Sequence, residues 1–357
     1  MFIIGIGTAT PSQRYTQADC WQAIQLSARF QKLNTRSRAI LKKVLTGENG
    51  IATRHLALDD LEQVFEMNPD ALHSRFTKHA PALATSAAQR SLAQSKIHPR
   101  EIDAVLISTC TGYLCPGLTS YAVEQLGLRP DVLALDLVGQ GCGAAIPNLE
   151  AARAVLAAGR YRHALSICVE VCSAAFYLDD DAGVLISACL FADGAGAMVL
   201  SSQANGGRRV KWTSSGSLIK PADRNALRFE QKSGMLRNIL TPQVPSLAAQ
   251  SVGTVFDDTL ARAGVKRHQI SGWILHPGGR DVLLALRERF QLSAHDVRWS
   301  QAVLRDYGNM SSPSVLFALQ SALSDGAPGG TWWMSSFGAG FSCYGALLEV
   351  QDHEKTY

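Results

Sequence analysis

Residues 136–143 read Asp-Leu-Val-Gly-Gln-Gly-Cys-Gly, and an Ala-rich run follows them. Just before, 132–138 carries Val132, Leu133, Leu135, Leu137 and Val138, the pattern of a buried strand. Gly139, Gly141 and Gly143 then mark a sharp turn. Residues 144–158 become helical in composition and stop at Gly159; Pro147 fits only in the first turn, where no N–H is needed. Cys142 is therefore expected on a strand–turn–helix corner, at a helix N-terminus. Free N–H groups and the helix dipole favour a thiolate there, and the glycines leave a path to the sulfur. A buried structural cysteine is the other reading of this stretch taken alone.

The chain has 357 residues, 46% hydrophobic and 18% charged, with 30 Gly, which excludes disorder and allows substantial cores. No apolar run is long enough to span a membrane without a charge or a break. The N-terminus is apolar from its second residue and lacks a basic leader, so it reads as a first strand and not a signal peptide. Eight cysteines without a secretory signal or a C-x-x-C point to a reduced, cytoplasmic chain. Cys168 and Cys172 stand in and beside an apolar run, which argues against zinc, and no metal site is expected. A net charge of +4 with 7% aromatic residues falls short of a nucleic-acid footprint. Basic residues gather at Arg29, Lys32, Arg36, Arg38, Lys42 and Lys43, as either a solvated helix face or a landing site for a phosphorylated cosubstrate.

Taken in order, the chain predicts a strand at 2–7, helices at 17–33, 69–76 and 80–94, and a strand at 102–108. A loop at 109–117, a helix at 120–126 and a strand at 163–171 follow. Gly5-Ile6-Gly7 is no dinucleotide fingerprint, because Thr10 and Pro11 replace the third glycine and the helix start. The second half repeats the first. LAQSKIHPREIDAVLI at 92–107 pairs without gaps onto LARAGVKRHQISGWIL at 260–275. In both copies a helix feeds, through a basic connector, an apolar strand ending in a reactive-looking loop. The polar stretch 203–208 is the candidate link between halves 1–205 and 206–357. A duplicated α/β architecture binds ligands at its strand ends.

A cysteine nucleophile needs a base or an ion-pair partner. His276, in Leu-His-Pro-Gly-Gly-Arg at 275–280, sits where an apolar strand gives way to a turn, and Pro277 biases it to extended geometry. The repeat places it level with 108–111. Asn309, in Tyr-Gly-Asn-Met-Ser-Ser at 307–312, is either a helix cap or an amide donor aimed at a carbonyl oxygen. Phe-Gly-Ala-Gly-Phe at 337–341 is a glycine turn able to present N–H groups to an oxyanion.

Together, Cys142 in G-Q-G-C-G, His276 in L-H-P-G-G, Asn309 in Y-G-N-M-S-S and the F-G-A-G-F loop resemble the type III polyketide synthases, the chalcone synthase-like enzymes. The resemblance runs from G-I-G-T-A-T-P near the N-terminus to the last strand. It implies the thiolase-like, five-layered αβαβα duplication, with the nucleophile in the N-terminal half and His and Asn in the C-terminal half.

It also implies that Cys142 takes a starter acyl group from coenzyme A and that His276 pairs with its thiolate. His276 and Asn309 hold the malonyl-CoA carbonyl during decarboxylation, a step that needs no carboxylate base. The N–H groups of Cys142 and Ala339 hold the second oxyanion. Phe191 matches a gatekeeper; a second gatekeeper has no counterpart at 234–240. Cys110, Thr111, Cys172, Ala175 and Ser311 complete the implied substrate wall. Cys110, Cys172 and Ala175 stand where plant enzymes carry threonine, and Ala339 where they carry proline. A wider, more apolar cavity follows, with a fatty acyl starter, few extensions, and alkylpyrone- or alkylresorcinol-like products. Lys42, Lys43 and Arg280 are the residues for coenzyme A phosphates; no cofactor is tightly bound. The resemblance further implies a homodimer in which Cys115 reaches the partner's cavity. A chain-initiating β-ketoacyl synthase using malonyl-carrier protein, and a non-catalytic partner subunit, are the competing readings.

Overall fold

The computed structural model describes residues 1–352. Nine strands form one mixed sheet: β1 (Phe2–Ala9), β4 (Ala104–Ser108), β5 (Leu133–Leu137), β6 (His163–Val171), β7 (Asp193–Ser201), β8 (Arg209–Ile219), β11 (Ile270–Leu275), β12 (Gly330–Gly338) and β13 (Ser342–Gln351). Their spatial order is β11-β12-β13-β8-β1-β7-β6-β4-β5. Two small ribbons lie outside it, β2 (Arg14–Thr16) with β3 (Thr53–His55) and β9 (Leu227–Lys232) with β10 (Met235–Leu240). The order is a palindrome about the β1–β8 seam. β4 runs parallel to β6, and β6 antiparallel to β7, as β11 runs parallel to β12 and β12 antiparallel to β13. Only β5 has no counterpart.

The helices are α1 (Gln17–Leu26), α2 (Ala28–Lys32), α3 (Thr35–Thr46), α4 (Pro69–Ser95), α5 (Leu118–Leu126), α6 (Ala145–Ala157), α7 (Ala182–Leu190), α8 (Val244–Ala263), α9 (Arg280–Arg289), α10 (Arg298–Tyr307) and α11 (Ser314–Ser324). Three cores separate the layers. In the middle one, Leu149 and Leu156 of α6 and Leu316 and Leu319 of α11 pack with Leu106 and Met198 of one half-sheet and Trp332 and Met334 of the other. Outside, α4 covers β1, β4, β6 and β7, and α8 and α9 cover β11–β13. Helix, half-sheet, helix pair, half-sheet and helix make the thiolase-like five layers.

The matched sequence windows correspond element by element. α4 ends at Ser95 and α8 at Ala263, and the paired cap residues Lys96 and Gly264 are both left-handed, at φ 60 and 67. A single 3-10 turn follows in each copy, Pro99–Glu101 and Arg267–Gln269. Gly5 and Gly7 earn their place in packing: a Cβ on Gly7 would come within 2.4 Å of the Ala87 carbonyl oxygen of α4.

Several expected boundaries need correction. Residues 69–95 form one helix with Pro81 inside it, because its buried face, Ala80, Leu83, Ala84, Ala87 and Ala88, holds it on the sheet against the missing N–H. The helix expected at 17–33 breaks at Ser27, whose hydroxyl caps the Phe30 N–H. β5 is not buried. It is an edge strand paired with β4 alone, with Ala134, Leu135 and Asp136 exposed. No helix among the described residues is long and apolar enough to cross a membrane.

Candidate active site

Cys142 lies in a 3-10 turn, Gly141–Gly143, between β5 and α6. Gly141 has φ 56, a conformation open to glycine at little cost. The turn abuts the 338–340 turn so closely that a Cβ on Gly338 would sit 2.5 Å from the Gly143 nitrogen and 3.1 Å from that of Cys142. A Cβ on Gly141 would sit 3.0 Å from the Ala339 nitrogen. The two glycine windows of the sequence thus meet backbone to backbone, and the Cys142 and Ala339 amides share one corner.

Ser311 donates its hydroxyl to Cys142 Sγ at 3.2 Å and its N–H to Asn309 Oδ1 at 2.8 Å. Asn309 Nδ2 donates to the Gly278 carbonyl at 3.1 Å, which leaves one amide hydrogen free. Gly278 N–H returns to the His276 carbonyl at 2.9 Å, and His276 N–H bonds the Ser335 carbonyl of β12. The His276 ring meets Phe337 edge-on, with centroids 5.3 Å apart. Its two ring nitrogens are buried without a partner among the described residues. The structure therefore brings Cys142, His276 and Asn309 into one connected group, with Ser311 and Gly278 as the joints.

Burial opposes the thiolate expected at Cys142. Desolvation pushes the thiol up to about 12, opposed by the Ser311 hydroxyl and its own N–H. Burial alone pushes His276 down to about 3. Both shifts favour the neutral forms, thiol and imidazole. Cys142 bonds Ser311, not His276.

Phe191 is buried at the end of α7, in a cluster with Leu56, Cys142, Cys172 and Phe176. Cys110 and Thr111 face Glu170, which sequence reasoning missed. Its buried carboxyl accepts from Cys110 N–H (3.0 Å), Thr111 Oγ1 (3.0 Å) and Ser312 Oγ (2.7 Å), and lies 3.4 Å from Ser311 Oγ. Desolvation raises its pKa, so the site does hold a carboxyl one hydroxyl away from the nucleophile, tuned toward its neutral form. The available signal was a lone acid inside an apolar strand, Ile-Cys-Val-Glu-Val at 167–171.

A cleft of about 770 Å³ lies beside this group; Cys110, Thr111 and Ala339 line it, but Cys142, His276, Asn309, Ser311, Phe191 and Cys172 do not. Its lining also includes Thr109 and Gly141, the apolar side chains of Leu72, Phe76, Ala174, Met235 and Leu236, and the cationic Arg224 and Arg228. β6 ends at Val171, as expected, and 172–175 is a 3-10 turn. That turn faces Ala174, not Ala175, into the cleft. Arg280 opens α9 beside the 47–50 segment that follows α3, where it bonds the Glu48 carbonyl and Asp281. It lines a second hollow, of about 550 Å³, with Arg298 and Arg305. Lys42 and Lys43 are exposed on α3 and do not line that hollow.

Comparisons with known proteins fit this geometry. Residues 8–218 match the family model described as FAE1/Type III polyketide synthase-like protein, and 217–347 match the chalcone and stilbene synthase C-terminal domain. A 3,5-dihydroxyphenylacetyl-CoA synthase of Streptomyces toyocaensis is 30% identical over 97% of this chain and 89% of its own length. The alpha-pyrone synthesis polyketide synthase-like Pks18 of Mycobacterium tuberculosis is 27% identical over 98% and 91%. The crystal structure of PKS-I from the brown alga Ectocarpus siliculosus superposes with a TM-score of 0.88 at 25% identity, covering 98% of this chain and 97% of that one.

Proposed function

The chain belongs to the chalcone synthase-like type III polyketide synthases, enzymes of acyltransferase type, and from that premise we propose that it extends a fatty acyl-CoA starter with malonyl-CoA to an alkylpyrone- or alkylresorcinol-like product. The observation that carries the reading is the Cys142–Ser311–Asn309–Gly278–His276 connection, with an unused donor on Asn309 and an unpartnered ring on His276. As Cys142 attacks the acyl-CoA thioester, the neutral His276 takes its proton and the coenzyme A thiolate leaves. Malonyl-CoA then presents its thioester oxygen to the His276 N–H and the free Asn309 N–H. Loss of CO2 puts negative charge on that oxygen, where two fixed donors stabilise the enolate. The enolate carbon attacks the Cys142 thioester, and the Cys142 and Ala339 N–H groups hold the second oxyanion until the sulfur departs. The extended chain on coenzyme A returns to Cys142 for the next round.

The fatty starter is supported by the apolar walls of the cleft, Leu72, Phe76, Ala174, Met235 and Leu236, and by the relative named for alpha-pyrone synthesis. Phe191 acts as gatekeeper, with Cys110, Thr111, Cys172 and Ser311 in the substrate wall. Arg280 takes a coenzyme A phosphate, with Lys42 and Lys43 on the neighbouring helix. Two copies pair through the exposed β5 edge, near which Tyr113, Cys115 and Val138 are also exposed. Eight unpaired cysteines support residence in the reducing cytoplasm. The test is mass spectrometry of products from a panel of acyl-CoA starters with labelled malonyl-CoA, and with malonyl-carrier protein as competing donor. Products only from the carrier donor would return the chain to the chain-initiating class.

A further inference from the structure

Residues 52–55 run alongside 305–308, the four residues that lead into Asn309. Ala52 donates its N–H to the Arg305 carbonyl, and Thr53 its hydroxyl to the Asp306 carbonyl, both at 2.7 Å. The His55 ring stacks on Tyr307 with centroids 5.6 Å apart. Gly308, at φ 74, rests against Arg54: a Cβ there would come within 3.0 Å of Arg54 Cγ and 3.1 Å of the Leu190 carbonyl oxygen. β3 therefore rails the approach to Asn309 residue by residue.

Arg54 is 2% exposed. A guanidinium at that depth needs strong acceptors. Its acceptors are main-chain carbonyls: Nη1 donates to Ala188 at 2.7 Å and to Phe191 at 2.9 Å. Both carbonyls belong to the last turn of α7 and its cap, where orphan acceptors and the helix dipole favour a cation. The same α7 end grips Asn309. Asn309 N–H donates to Leu190 at 3.0 Å, and Ala192 N–H donates to Asn309 at 2.8 Å. One guanidinium thus holds the α7 terminus, that terminus holds the Asn309 backbone, and Gly308 lets the Arg54 side chain close against it. The Cys142 backbone is fixed by other means, the 141–143 turn against 338–339, while its sulfur also accepts from the Ser311 hydroxyl.

We propose that Arg54 is a positioning residue for decarboxylation: it aims the Asn309 amide, and sets Phe191 with it, without touching substrate. The proposal rests on Asn309 binding the malonyl thioester. Both bonds leave one nitrogen, Nη1, so a lysine ammonium keeps the charge and enough donors on its single nitrogen to serve the same carbonyls, from a shorter side chain.

The experiment compares wild type with Arg54→Gln, Arg54→Lys and Thr53→Val in two assays. One is CO2 release from malonyl-CoA without starter. The other is acylation of Cys142 by acyl-CoA without malonyl-CoA, read by intact-protein mass spectrometry. Arg54→Gln should lower kcat for decarboxylation by roughly 10- to 100-fold, with KM and acylation changed less than about threefold, since small misplacement of one group is costly. Arg54→Lys should recover part of that loss, and Thr53→Val should show a smaller loss of the same kind. If Arg54→Gln does not fold, the other two variants carry the test. Equal losses in both assays, or unchanged decarboxylation, would overturn the proposal. Wild type that releases no CO2 would instead overturn the reading of Asn309.

Discussion

Ser311 donates to Cys142 Sγ at 3.2 Å through its hydroxyl and to Asn309 Oδ1 at 2.8 Å through its N–H. One residue therefore sets the spacing between the nucleophile and the amide donor. It does so at φ 60, a left-handed conformation uncommon for a residue with a side chain. That conformation points hydroxyl and amide at different partners.

Alkylation should report the protonation of the free enzyme. With the Cys142 thiol pushed up to about 12, iodoacetamide labelling of the Cys142 peptide should rise about tenfold per pH unit from neutral pH upward, without levelling. A plateau reaching down to acidic pH would mean a preformed thiolate–imidazolium pair.

Cys142→Ala should abolish product yet keep malonyl-CoA decarboxylation, because His276 and Asn309 remain. Asn309→Ala should cut decarboxylation by about 100-fold or more, the loss expected for one oxyanion donor. Near-normal CO2 release from Asn309→Ala would reduce that residue to a structural link between Ser311 and Gly278.

His276 is held neutral, its titration pushed from 6.5 down to about 3 by burial. Below pH 6.5 the unfolded chain gains this proton and the folded chain does not. The fold thus keeps this share of its stability above 6.5 and loses it progressively as pH falls toward 3. His276→Gln removes the titration, so its Tm should fall less steeply than wild type over that range. Parallel slopes would show that the ring titrates normally.

Ala174 and Ala175 separate two pictures of the cavity. Ala174 lines the cleft and Ala175 does not. Ala174→Leu should therefore shorten the preferred acyl chain, each excluded methylene forfeiting about 0.8 kcal/mol. Ala175→Leu should change chain length less. The reverse order would place the acyl chain on the far side of this turn.

The sheet and its duplication were legible because the helix–turn–strand repeat carries its own local signals, down to left-handed caps at Lys96 and Gly264. Cys142, His276 and Asn309 were legible because glycines and prolines punctuate their windows. Glu170 and Arg54 were not. Glu170 sits in β6 and Arg54 in the three-residue β3, and neither local pattern says which distant carbonyls or hydroxyls will surround it. Burial of β5 was misread because Val132, Leu133, Leu135, Leu137 and Val138 look the same whether apolar contacts come from the same chain or from outside it. Desolvation, which opposes the thiolate expected from the helix start, depends on tertiary packing and has no local signal.

Analytical ultracentrifugation should find a dimer at micromolar concentration, and Leu135→Lys, which puts charge on the exposed β5 edge, should weaken it. A wild-type monomer would leave that edge without its proposed role.

The unmatched strand has one more consequence. A perfectly doubled fold would offer the same sticky border at both ends of the sheet, and such a molecule could string into open filaments. Here the two borders differ. β5 leaves Leu135 exposed, whereas β11, at the opposite border, keeps Trp273, Ile274 and Leu275 buried. The proposed self-association through β5 would be isologous, would consume the border it uses, and would close after two copies. Breaking the internal symmetry at one strand would give such an assembly a stopping point.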